Sequence, residues 1–90
     1  MPLDEGMLFS FPRPDYHSFW MRNTSVPLSI AFIDQGGKIV DIDDLEPFNE
    51  NSISPSCPVC YALEMNRGWF RDNEITRGDY VRDLPSLPLT

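Results

Sequence analysis

The chain predicts a mainly β domain, a small antiparallel sandwich or partly closed barrel with one short helix. Three observations carry that expectation. Short apolar runs recur with strand periodicity, most clearly in Leu28-Ser29-Ile30-Ala31-Phe32-Ile33, where Leu28, Ile30 and Phe32 fall at alternate positions. Turn formers separate the runs, with nine prolines and five glycines in 90 residues, a density that favours short elements. Aromatic residues make up 12% of the chain, enough bulky apolar surface to offset the entropy of ordering a small domain.

The elements follow in order. Met7-Leu8-Phe9-Ser10-Phe11 reads as a strand that Pro12-Arg13-Pro14 turns aside. Residues 17–21 are compact and aromatic, with the character of a second strand that Asn23-Thr24-Ser25 breaks. Residues 28–34 form the third run, Gln35-Gly36-Gly37 a hairpin turn, and Lys38-Ile39-Val40-Asp41-Ile42 the returning partner. A loop rich in Pro, Ser and Asn spans 45–58. Val59, Tyr61, Leu63 and Met65 then share one face of a strand. Asn66 is placed to cap a short helix running from Arg67 towards Asn73, docked by Trp69 and Phe70. Residues 75–79 make a turn and 80–82 a last short strand. The division expected is a single β domain over 1–83 and a proline-containing tail over 84–90.

Fourteen acidic residues against seven basic ones give a formal charge of −7, and Lys38 is the only lysine. That balance speaks against a nucleic-acid backbone and an anionic membrane surface, both of which are bound through Lys and Arg. No run is apolar enough to span a bilayer, and Asp4 and Glu5 sit where a secretory signal would begin. The expectation is a soluble chain, cytoplasmic if it is complete and exported if an upstream segment has been lost.

Five groups of residues have chemical potential. Cys57-Pro58-Val59-Cys60 could close a small disulfide or supply half a zinc site. The pair follows a Ser/Pro loop and enters a strand, without the helix N-terminus that activates redox cysteines. Asp41-Ile42-Asp43-Asp44-Leu45-Glu46 lacks the glycine of a calcium loop and reads as a solvated strand edge. His17, the only histidine, reads as hydrogen-bonded structure rather than part of a triad. In Trp20-Met21-Arg22-Asn23-Thr24, strand geometry puts Trp20 and Arg22 on one face, an aromatic platform beside a guanidinium, with Asn23 and Thr24 at the strand end. These four are the candidate ligand-binding residues, against the alternative that Trp20 fills the core while Asn23 and Thr24 bond the turn backbone. Arg67 and Arg71, four apart on the expected helix, could share a face and hold an anion, or simply pair with Glu64 and Asp72.

Several stretches together resemble the family called domain of unknown function 192. They are Gly6-Met7-Leu8-Phe9-Ser10-Phe11, Phe19-Trp20-Met21-Arg22-Asn23-Thr24, Pro27-Leu28 with Ala31-Phe32-Ile33-Asp34, Gly37-Lys38-Ile39-Val40, Tyr61-Ala62-Leu63-Glu64 with Gly68-Trp69, and Gly78-Asp79. The resemblance covers most of the chain and implies a compact, mainly β domain with a minor helix; it implies no activity. Family members usually carry an upstream strand that is missing here, and many look exported. Ser29 stands where they commonly have an aspartate.

The reading favoured is a non-enzymatic binding or accessory domain with a small groove near Trp20 to Thr24, needing no cofactor and no metal. The alternatives are a thiol-redox protein using Cys57 and Cys60, and an assembly module. In the last case the strand at 7–11 lacks a neighbour and pairs with a second copy through its open edge. A hydrolase built on His17 stands behind all three. Partners would be a small ligand or a protein, not nucleic acid and not a membrane.

Overall fold

The computed structural model of the chain describes residues 6–18, 27–46 and 52–81. They form four strands, β1 (Met7–Asp15), β2 (Leu28–Ile33), β3 (Ile39–Leu45) and β4 (Val59–Asn66), and one helical turn, α1 (Trp69–Asp72). The strands make a single antiparallel sheet in the order β1-β4-β2-β3, not closed among the described residues. The mainly β class and the single short helix are as expected.

All six residues of β2 are buried. The alternation of Leu28, Ile30 and Phe32 is real, but Ala31 and Ile33 are just as buried because both sides of the strand are covered. One side packs Leu28, Ile30 and Phe32 with Leu45, Val59 and Ala62, under Phe9, Phe11, Val40 and Ile53. The other packs Ala31 and Ile33 with Ile39, Tyr61, Met65 and Phe70, the last from α1. Fully burying side chains of this size stabilises by about 1.5–3 kcal/mol each.

β2 and β3 are joined by a tight hairpin. The Asp34 carboxylate accepts from the N–H groups of Gly36 and Lys38, both at 2.9 Å, and Gly37 adopts φ 91°. A side-chain acceptor across the turn and a left-handed glycine are what this hairpin requires. Residues 78–81 then join the start of β3. Ile39 N–H donates to Asp79 O at 2.8 Å, Gly78 N–H to Ile39 O at 2.8 Å and Val81 N–H to Gly37 O at 2.7 Å, with a Lys38–Tyr80 bridge.

Three local expectations are corrected. Pro12 and Pro14 do not end β1; the strand continues to Asp15, with its register slipping between Ser10 and Asp15. Proline is tolerated on a terminal strand at an irregularity, where the missing N–H breaks no regular ladder bond. Val59 does not share the environment of Tyr61 and Met65: it packs in the opposite core cluster, at the point where the β1 register slips. Asn66 does not cap the helix; it ends β4, paired with Leu28. The residue before α1 is Gly68 at φ 84°, which turns the chain without a side-chain cap.

The far end of α1 is a Schellman motif. Ile75 N–H reaches back to Phe70 O at 2.8 Å and Glu74 N–H to Arg71 O at 3.0 Å, while Ile75 and Phe70 belong to the same core cluster. The left-handed position is held by Glu74, φ 58°, where glycine is usual. A Cβ there costs roughly 1–2 kcal/mol. Glu74→Gly is therefore expected to raise stability by about 1 kcal/mol in urea unfolding; an unchanged or lower midpoint would refute that strain.

Glu64 lies between Met7 and Ile30 in the sheet register, half-buried on the side of Leu28, Ile30 and Phe32. Burial raises its carboxyl above the ordinary value. The folded chain therefore holds this proton to higher pH than the unfolded chain does. The stabilisation is complete below the unfolded value and lost as pH rises through the folded one. Glu64→Gln is expected to be more stable than the parent at pH 7, with the gain vanishing near about pH 3. A gain that is the same at both pH values would contradict it.

Candidate functional site

Trp20, Arg22, Asn23 and Thr24 lie outside the described residues. The described chain presents a different set of hollows, which starts on the α1 side of the sheet and assembles from the hairpin register. Residue 29 of β2 lies opposite residue 44 of β3. Ser29, only 3% exposed, donates its hydroxyl to Asp44 Oδ1 at 2.9 Å and accepts from Gly68 N–H at 3.2 Å. One hydroxyl thus links β2, β3 and the turn into α1.

Three hollows follow from this point. The first, about 200 Å3, is lined by Ser29, Ile42, Asp44, Arg67, Phe70 and Arg71. The second, about 470 Å3, shares Ile42, Phe70 and Arg71 with it and adds Glu74, Ile75 and Arg77. The third, about 430 Å3, shares Arg77 with the second and adds Lys38, Val40, Ser56 and Cys57. Through these shared residues they run in series from the α1 side, over Ile42, Phe70 and Ile75, round the β3 edge at Arg77 to Val40 and Ser56 of the opposite layer, and are together called the groove.

Four of the seven cations in this acidic chain line the groove. Arg67 is tied down, its Nη2 donating to Leu45 O at 3.1 Å and pairing with Glu46 at 3.1 Å. Arg71 reaches only the exposed Asp72, at 3.7 Å. Arg77 Nε donates to Val40 O at 3.0 Å and lies 3.8 Å from Asp41. Lys38 has no ion pair among the described residues. Exposed pairs of this kind contribute about 0–1 kcal/mol, so a ligand anion can displace them.

Asp41 builds the third hollow. Its Oδ2 accepts from Ser56 N–H and from Ser56 Oγ at 2.8 Å, which pins the 52–58 loop beside β3 and sets Cys57 next to Lys38 and Arg77. The acidic run thus belongs to β3, as a strand edge, with Asp41 and Asp44 in specific contacts. The Asp43 carboxyl is raised by burial and by neighbouring Asp41 and Asp44, partly opposed by Arg77. Among the described residues no group of three or more His, Cys, Asp or Glu is arranged to hold a metal, and no helix is long and apolar enough to cross a membrane.

Cys57 and Cys60 are both free thiols. Cys57 is half-buried at the groove; Cys60 is 1% exposed within the core cluster beneath α1. Burial, with Asp34 adding to it, pushes the Cys60 thiol up. His17 stacks on Phe11 with ring centroids 3.8 Å apart and its Nε2 lies 3.2 Å from Arg13 O, away from both cysteines in the chain and from the groove lining. The sequence reading singled out Arg67 and Arg71, which do meet in one hollow, although Arg67 precedes α1 rather than lying on it. It missed the roles of Ser29, Asp44, Ser56 and Arg77.

The fold and groove define a small, open antiparallel β domain with cation-lined hollows that run from the α1 side round the β3 edge. The chain belongs to the DUF192 family, described as Uncharacterized ACR, whose model matches residues 1–82. No curated protein matches it. Two solved structures are similar. One is a protein of Sinorhizobium meliloti 1021 described as a candidate transcription regulator, 37% identical, with a TM-score of 0.85 over 89% of this chain and 63% of that one. The other is a protein of unknown function from Novosphingobium aromaticivorans DSM 12444, 33% identical, with a TM-score of 0.84 over 89% of this chain and 58% of that one. The chain therefore spans about three fifths of the length of both.

The two thiols differ in access and in acidity. Under native conditions iodoacetamide is expected to label Cys57 at least about tenfold faster than Cys60, which reacts at the rate of opening. Equal rates would show that the strand carrying Cys60 is not packed as described.

Proposed function

We propose that this domain is a non-enzymatic binding module that holds a small amphiphilic anion in the groove between β3 and α1. The observation that carries this reading is the concentration of Lys38, Arg67, Arg71 and Arg77 along these hollows in a chain with net charge −7. Cations scattered for solubility would not gather where the apolar floor is. In the hollow at Lys38 and Arg77 the Asp41 carboxylate is engaged by Ser56 and Arg77, whereas Lys38 has no ion pair among the described residues, so this hollow is the natural seat for the anion. Ile42, Phe70 and Ile75 then offer contact to the apolar body. The volumes suit a small molecule. A ligand-sensing role is compatible with the description of the Sinorhizobium relative, but the acidic surface opposes direct contact with DNA phosphates.

Phenyl phosphate is a suitable probe because it joins an oxyanion to an apolar ring. Titrated into isotope-labelled protein, it is expected to shift amides of Lys38, Arg77 and Gly78 with a Kd of about 1 mM or tighter. Binding should weaken with salt and drop at least about tenfold in the Lys38→Glu, Arg77→Glu double variant. Shifts confined to another surface, or none, would refute the proposal.

A further inference from the structure

The two ends of the groove differ in charge. At the Lys38 end the lining holds cations, and the Asp41 carboxylate is engaged by Ser56 and Arg77; at the Ser29 end a carboxylate, Asp44, faces the same 200 Å3 hollow as Arg67 and Arg71. Asp44 is held in place by the buried Ser29 hydroxyl at Oδ1, and that hydroxyl is itself fixed by Gly68 N–H. Asp44 Oδ2 takes no hydrogen bond among the described residues. Arg67 is anchored to Leu45 O and Glu46, whereas the Arg71 side chain is 86% exposed and has only its long contact to Asp72.

A lone anion at this end would be repelled by Asp44, and a lone cation by Arg67 and Arg71. The complement of a fixed carboxylate beside an available guanidinium is a group carrying both charges. We propose that the Ser29 end of the groove is a subsite for the zwitterionic head of an α-amino acid, with its ammonium on Asp44 and its carboxylate on Arg71. The guanidinium fork can take that carboxylate through two parallel N–H donors, and the ammonium completes the acceptor capacity of Asp44. This rests on the groove being a ligand site and names the ligand class: an amino acid whose side chain is an apolar spacer ending in an oxyanion. The hollow between the two ends offers Ile42, Phe70 and Ile75 to an aromatic spacer.

The test compares O-phospho-L-tyrosine with phenyl phosphate on the full chain by calorimetry. The first carries head, spacer and anion, and the second lacks only the head. The expected result is that phosphotyrosine binds at least about tenfold tighter, equivalent to about 1.4 kcal/mol. Asp44→Asn and Arg71→Gln should each bring the ratio of the two affinities, measured in the same variant, down to about one. Arg71 is exposed, so Arg71→Gln folds even where Asp44→Asn does not. Equal binding of the two probes overturns the head subsite and leaves the groove standing. An advantage that survives Arg71→Gln overturns the assignment of residues. Binding of neither probe overturns both proposals.

Discussion

Burial of both faces of β2 is the constraint on which the rest of this domain depends. A strand covered on both sides has no water for its backbone, so every N–H and C=O must find a neighbour, and β3 and β4 supply them on its two edges. Covering both sides also requires two separate layers. On one side the residues come from β1 and the 52–58 loop, on the other from α1 and the segment that follows it. A helical turn of four residues is unstable alone. Here it persists because Phe70 and Ile75 close over Ala31 and Ile33 and because a Schellman motif satisfies its last carbonyls.

The same constraint makes Ser29 conspicuous. A hydroxyl on a fully buried strand must be bonded, or its desolvation costs about 1–3 kcal/mol. Its bonds to Asp44 and Gly68 answer that need and at the same time fix the carboxylate at one end of the groove and the turn into α1. At the other end Asp41 does the corresponding work, holding Ser56 and therefore Cys57 beside Lys38 and Arg77. The acidic run of β3 is thus divided: Asp41 and Asp44 organise the groove from within the strand, while Asp43, partly buried and crowded by both, is drawn towards its protonated form. Electrostatic asymmetry in a chain of net charge −7 arises from this division of labour, since the edge strand carries the acids and the turns around α1 carry the arginines.

Much of the architecture was legible in the residues. The hairpin at 34–38, strand β2 and strand β4 follow from alternation and from glycine, because these signals depend only on neighbours in sequence. The continuation of β1 through Pro12 and Pro14 did not follow, because a proline's cost depends on whether its N–H would have met a partner strand, and that is set by sheet position. The placement of Val59 was missed for a related reason: strict alternation fails where the register of the neighbouring strand slips. Asn66 had the chemistry of a cap, yet pairing with Leu28 extends β4 over it.

The candidate site divides in the same way. The sequence by itself determined a mainly β chain, an acidic balance, and a pair of arginines four residues apart. The bond between Ser29 and Asp44 was not legible there, since a tight turn that pairs 33 with 39 sets 29 opposite 43, and the register slip between Phe32 and Ile33 moves its partner to 44. Only the tertiary structure decided that Lys38, Arg67, Arg71 and Arg77, from three separate stretches, line hollows in series round the β3 edge, and that Cys57 faces one of them while Cys60 lies in the core. The physical reason is that periodicity and turn chemistry are local, whereas a groove is made by the packing of a helical turn and two loops against one sheet edge.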